Sequence, residues 1–340
     1  MLNFISKKSF KNILLIIITA VLIFSTAAGA EITVTDMAGR KVAVPDKVEK
    51  IVTTYKSATQ FILALRAGDR LTGVSLKSGQ QPLFTALEPD IASLPEVGSK
   101  RKGLNMETIL GADPDLVILF PYGDGPELAD RLKSHGVASI IINPESLALI
   151  KETTLLLGEA IGEEEQADNI IDEYNKILKT VEHTAELPKS EKKIIYFGNS
   201  EITDTVGAEM LQTAVIEHAG GINPAAELKT GFVKTSAENI IKWNPDLAVV
   251  SQFYKGDIDS ILEDSRFSQI NAFKEGQVYR FPSSLEPWDF PSPSSYIAVV
   301  WLAKTAYPEK FANLNYQKMV NEFYKTLYGK SFEEIGGEFK

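Results

Sequence analysis

The chain has 340 residues, with 35 Lys and Arg against 45 Asp and Glu, a formal net charge of −10, three histidines and no cysteine. Without cysteine there can be no disulfide, thiolate metal site, iron–sulfur cluster, cysteine nucleophile or lipid-modified cysteine tether. The acidic balance argues against nucleic acid or an anionic membrane surface as a partner reached through the overall field.

In residues 1–30, Lys7, Lys8 and Lys11 precede an apolar run over 13–24, and Ala28-Gly29-Ala30 supplies the small-x-small pattern of a signal-peptidase site. The run is shorter than the ~20 residues a spanning helix needs, so the segment reads as a cleavable secretory signal and not as an anchor. Its removal takes away three lysines and no acid, moving the net charge from −10 to −13. The expected product is a freely soluble, monomeric periplasmic protein.

The next stretch, 31–162, reads as a first α/β lobe. Ile32 to Val34 and Lys41 to Val44 alternate apolar and polar residues around Ala38-Gly39, the pattern of a small edge hairpin. Ile51-Val52 opens a strand that runs into Tyr55-Lys56; a helix over about 57–66 follows and ends at Gly68. Further strands are predicted near 71–75, 116–120 and 139–142. A linking helix is expected over 163–187. Three glutamates in its first turn suit the helix dipole, and Ala167, Ile170, Ile171, Tyr174, Ile177, Leu178 and Val181 recur at helical spacing before Pro188. One long helix is stiffer than several extended crossovers, so only small opening motions are expected. The second lobe, 188–340, begins with a strand over 192–197. Near its end, Ser292 and Pro293 form a good N-cap and first-position pair for a helix running to about Tyr307.

Thirteen residues occur twice. Glu107-Thr-Ile-Leu-Gly-Ala-Asp-Pro-Asp-Leu-Val-Ile-Leu119 returns 131 positions later as Glu238-Asn-Ile-Ile-Lys-Trp-Asn-Pro-Asp-Leu-Ala-Val-Val250. Each copy reads as a helix end, a proline-forced turn and a short buried parallel strand. The spacing is one domain length. The fold class is therefore α/β, with two Rossmann-like lobes joined by one long helix and a ligand cleft between them.

Ligands in open α/β sheets bind outside the carboxyl ends of the strands. In the first lobe those places hold Tyr55-Lys56, Arg101 in a basic loop, and Tyr122; in the second they hold Asn199, Lys234, Phe253-Tyr254 and Trp288. Lys56, Arg101 and Lys234 would neutralise an anion, while Tyr122, Phe253, Tyr254 and Trp288 would stack on a flat ligand. Taken singly, each reads more simply as a solvated charge or a core aromatic, and only for Trp288 do the two readings weigh equally. His135, His183 and His218 fall in unlike places and suggest neither a His-rich metal site nor a catalytic triad. Gly123-Asp124-Gly125 lacks the third glycine of a dinucleotide loop. No enzyme activity, resident metal or cofactor is expected.

Thr35 to Pro45, Ala67 to Ser75, Val97-Gly98 with Asn105 to Ile109, and Ala219 to Asn223 resemble the helix-hinged substrate-binding proteins of ABC importers, the class serving iron siderophores, haem and vitamin B12. The resemblance covers nearly all of 31–340. It implies a periplasmic receptor that delivers a metal chelate to an ABC permease in the inner membrane. It also implies that Glu107 and Glu238 meet arginines on the two permease halves, although by position alone both are ordinary first-turn helix acids. A molybdate or tungstate receptor is the alternative, since some members carry these oxyanions and the candidate site is cationic. An exported hydrolase is the alternative from another class.

Overall fold

The computed structural model describes residues 31–339 except Lys100, Arg101, Asp124, Lys229 and Thr230. The signal segment and Arg101 therefore lie outside the described residues.

The first strands, β1 (Glu31–Thr35) and β2 (Lys41–Pro45), form the expected antiparallel hairpin, with Val34 opposite Val42. Asp36 at its turn anchors it. That carboxylate accepts from the Arg40 guanidinium at 2.6 Å and from the Ile141 amide at 3.1 Å, so the hairpin is tied to the edge of the first sheet.

That sheet is fully parallel, with the order β4 (Leu71–Gly73), β3 (Ile51–Thr53), β7 (Leu116–Leu119), β8 (Ala138–Ile141). A two-stranded turn, β5 (Gly98–Ser99) with β6 (Gly103–Leu104), stands apart from it. The helices of this lobe are α1 (Lys56–Ala64), α2 (Pro82–Leu87), α3 (Met106–Gly111), α4 (Gly125–Ser134) and α5 (Leu147–Ile161). The long helix α6 (Glu164–Ala185) follows.

The second sheet is also fully parallel, ordered β11 (Gly221–Ile222), β9 (Lys193–Gly198), β13 (Leu247–Val250), β14 (Val278–Arg280). A separate ribbon pairs β10 (Asp204–Val206) with β12 (Phe232–Lys234). Its helices are α7 (Leu211–His218), α8 (Ala237–Trp243), α9 (Ile258–Leu262), α10 (Asn271–Lys274), α11 (Ser295–Ala306) and α12 (Tyr316–Tyr328). Read in chain order, both sheets run second, first, third, fourth strand.

The duplicated segment explains its own residues. Asn105 and Ser236 cap the two short helices, accepting from the Thr108 and Asn239 amides at 3.0 and 3.3 Å. Asp113 and Asn244 take the left-handed conformation at the two helix ends, with φ of 49° and 43°, which these short polar side chains tolerate. The aspartate after each proline then clamps the neighbouring strand. Asp115 accepts from the Glu49 and Lys50 amides at 2.8 and 2.9 Å, and Asp246 from the Ile194 amide at 2.9 Å. The strands that follow, β7 and β13, are buried at every residue, which is why both read as unbroken apolar runs.

Helix α6 turns Ala167, Ile170, Tyr174, Ile177 and Val181 inward as its periodicity predicts. Tyr174 stacks on Tyr296 of α11, with ring centroids 3.8 Å apart. One apolar cluster runs from the first sheet through α5, α6, α11 and α12 into the second sheet, so the lobes share a helical backing. Gln166 on α6 reaches the Ala64 and Thr326 carbonyls, both at 2.9 Å, joining α1 to the C-terminal helix. Helix α11 starts at Ser295, two residues later than the Ser-Pro pair predicts. The Ser295 amide bonds back to the Ser292 carbonyl at 3.1 Å, so a tight turn occupies the place of the first helical turn.

Candidate functional site

A 2-1-3-4 strand order has one switch point, between its first and third strands, and crevices open there at the carboxyl ends. In the first lobe this lies between β3 and β7, whose chains leave the sheet as Tyr55-Lys56 and Phe120-Pro121-Tyr122. In the second it lies between β9 and β13, which continue as Asn199-Ser200 and Ser251-Gln252-Phe253.

In the first lobe, Tyr55 packs edge-on to Phe120, with centroids 5.6 Å apart, and points its hydroxyl toward the Ile142 carbonyl at 3.4 Å. Burial pushes its phenol well above the usual range. Lys56 follows as the first residue of α1. Burial first, and the nearby charge of Lys77 second, lower its ammonium pKa, and no carboxylate pairs with it among the described residues. Among the described residues no side chain caps α1, which leaves its first amides open to another acceptor. Tyr122 is 45% exposed, and its hydroxyl meets Asn143 at 3.3 Å.

The second lobe differs. The Asn199 amide is used on the Asp204 carbonyl at 2.7 Å. The Asp204 carboxylate accepts from Ser200 at 2.6 Å and pairs with Lys234 at 3.2 Å, so the Lys234 charge is already matched. Those bonds hold the Asp204 carboxyl below its usual range, with the Ser200 hydroxyl the largest cause. Phe253 is 56% exposed and meets Phe290 edge-on at 6.0 Å. Tyr254 leans on the lobe's own apolar cluster, under the Arg280 guanidinium, and Arg280 donates to its carbonyl at 3.1 Å. It reads as a packing residue.

Trp288 requires a correction: it is 0% exposed. Its indole donates to the Tyr324 hydroxyl at 2.8 Å and its ring lies against Phe332 and Phe339, so it fills the core beneath the loop and presents no face to a ligand. The neighbour two residues on, Phe290, is the aromatic set beside Phe253. Sequence reasoning passed over it because an irregular loop has no period that separates inward from outward side chains. Asp289, between them, is buried and pushed up to about 6 by that burial. Its carbonyl accepts from Gln212 at 2.7 Å. The Ser57 hydroxyl of α1 donates to the Pro291 carbonyl, which brings the first turn of α1 against this loop and forms a floor between the lobes.

Glu107 and Glu238 occupy the second position of α3 and α8, equivalent places in the two lobes, and both are exposed. A hydrogen bond with Ser236 lowers the Glu238 carboxyl pKa. Among the described residues, no group of three or more histidine, aspartate or glutamate side chains is placed to hold a metal ion, and no helix is long and apolar enough to cross a membrane.

Residues 51–285 match the periplasmic binding protein family. The chain belongs to that family. It is similar along its length to the molybdate-binding protein MolA of Haemophilus influenzae, at 26% identity over 95% of this chain and 97% of that protein. The vitamin B12-binding protein of Yersinia pestis is 24% identical over 60% of this chain and 69% of that protein. The solved structure of MolA with molybdate superposes with a TM-score of 0.79 at 23% identity, covering 91% of this chain and all of that one, and so shares the two-lobed fold. Family and fold together make it a two-lobed periplasmic binding protein.

Proposed function

We propose that the ligand is a compact oxyanion of the molybdate and tungstate class, held between the lobes and passed to an ABC permease. The observation that carries this reading is the likeness to a molybdate-binding protein over 95% of the chain. The chemistry of the site supports it. A dianion needs a cation and N–H donors, and Lys56 stands, among the described residues, without a carboxylate partner beside the uncapped first turn of α1. A broad chelate needs an aromatic platform, and the burial of Trp288 removes the one best suited by sequence. Calorimetric titration with molybdate, tungstate, sulfate, an iron(III) catecholate and cyanocobalamin tests the reading. Submicromolar molybdate binding is expected; chelate binding without any oxyanion binding would sink it.

A chelate or corrinoid remains the second reading. Phe253 and Tyr122 are large exposed aromatics at the two switch points, and the B12-binding relative aligns over 60% of the chain. For delivery, Glu107 and Glu238 are the proposed permease contacts. Changing both to alanine should leave ligand affinity unchanged and abolish uptake in transport assays, since paired charges read by a dimeric partner set register more than affinity.

A further inference from the structure

Glu286 is buried, and it sits where three separate parts of the chain meet. The Gln60 side-chain amide, from α1 in the first lobe, donates to one of its oxygens. The Tyr324 hydroxyl, from α12, donates to the other at 2.5 Å. The Glu286 amide is held by the Ser283 hydroxyl at 3.3 Å, within the second-lobe loop that carries Asp289 and Phe290. Gln60 also contacts Ser294 at 3.2 Å and Tyr328 at 3.1 Å, and those two hydroxyls lie 2.7 Å apart. One turn of helix before Gln60 come Lys56 and Ser57. The Gln60 to Glu286 bond and the Ser57 to Pro291 bond thus stitch the ligand-facing turn of α1 to the ligand-facing loop of the second lobe.

We propose that Glu286 and Gln60 form the interlobe crossing that sets the span of the ligand cleft, and that ionisation of Glu286 loosens it. The inference rests on the two-lobed fold and not on which ligand is bound. The titratable groups facing Glu286 are Tyr174 from α6 and Tyr324 and Tyr328 from α12, and burial pushes all three phenols well above their usual range. They stay neutral, so none can balance a carboxylate charge. Asp289 of the same loop is engaged with the Gln252 amide instead. Burial pushes Glu286 up to about 7, against an ordinary 4.5. Opening that hydrates the carboxyl returns it toward the ordinary value, so loss of the proton favours the open form.

The sign and size follow. For a carboxyl of about 7 when closed and 4.5 when hydrated, the open-to-closed ratio rises about thirtyfold between pH 5.5 and 8.5. Hydrogen exchange read by mass spectrometry on the ligand-free protein detects such rare openings. After correction for intrinsic exchange, amides in 55–61 and 283–294 should lose about thirtyfold protection over that pH range while staying less protected at every pH than those of β9 and β13, which exchange only when the whole chain unfolds. Glu286→Gln should remove the pH dependence, because a neutral amide keeps the shape without the charge. Gln60→Met should lower protection of the same segments already at pH 5.5. The proposal is overturned if the two segments show no pH-dependent loss, if they are as protected as the sheet strands so that only global unfolding exposes them, if Glu286→Gln retains the full pH dependence, or if Gln60→Met leaves pH 5.5 protection intact.

Discussion

The two lobes share one topology and differ in what they place at its switch point. Both run their sheets in the same order, cap the same short helix, and carry within the duplicated segment an aspartate that clamps the neighbouring strand. In the first lobe β3 passes directly into α1, so Lys56 stands at a bare helix start. In the second lobe β9 passes into β10, which pairs with β12, and Asp204 there takes up the Lys234 charge. At the two switch points, therefore, the first lobe presents a charge, Lys56, and the second an aromatic pair, Phe253 with Phe290. Duplicated topology kept the scaffold equal while the loops diverged, which is where α/β folds place binding chemistry.

The largest expected asymmetry concerns Trp288, which has no counterpart among the candidates of the first lobe. Trp288→Ala should cost roughly 3–5 kcal/mol of stability in chemical denaturation, as for other buried aromatic truncations. Ligand affinity of the folded fraction should change less than twofold. A large loss of affinity at preserved stability would return this residue to the site.

Next comes pH, again a property of the second lobe. Glu286 and Asp289 are pushed up to about 7 and about 6 by burial, so the folded state binds these protons more tightly than the unfolded chain does. Their contribution is present in full below about pH 4 and is lost as pH rises through 6 to 7, roughly up to 3 kcal/mol for each group. Melting curves of Glu286→Gln and Asp289→Asn between pH 4 and 8 should each flatten relative to the unmutated protein. Unchanged pH profiles would show that neither carboxyl is held protonated.

The two lysines sharpen the comparison further. Lys56→Ala should weaken oxyanion binding by roughly 1.5–3 kcal/mol, the range for a hydrogen bond to a charged group. Lys234→Ala should cost well under 1 kcal/mol, because that side chain is exposed and already paired. Equal losses in calorimetric titration would erase the distinction between the lobes. The smallest difference should separate the strand clamps. Asp115→Ala releases two amides and Asp246→Ala one, at about 1 kcal/mol per bond, so urea midpoints should order them in that sense.

Several of these features were legible before any coordinates. The thirteen-residue duplication announced two related lobes, because a helix end, a proline turn and a buried strand each leave a local mark on residue type. The face of α6 followed from its period. The strand-end positions of Tyr55, Lys56, Asn199 and Phe253 followed from strand placement alone. Other assignments needed contacts with partners far along the chain. Trp288 and Phe290 stand two residues apart in one loop, and only Tyr324 and Phe332 on one side and Phe253 on the other decide which is core and which lies beside the exposed Phe253 ring. Lys56 and Lys234 are identical as residues; Asp204, thirty positions from Lys234, makes the difference.

By itself, then, the amino-acid order determined the elements and their duplication, since periodicity, capping and turn chemistry act between residues a few positions apart, while the receptor class rested on the resemblance of several motifs to a known family. Tertiary structure alone decided which aromatic is buried, which lysine is free and that Gln60 meets Glu286, since those outcomes depend on desolvation and hydrogen bonding between segments up to 226 residues apart, and no local pattern encodes a partner at that distance.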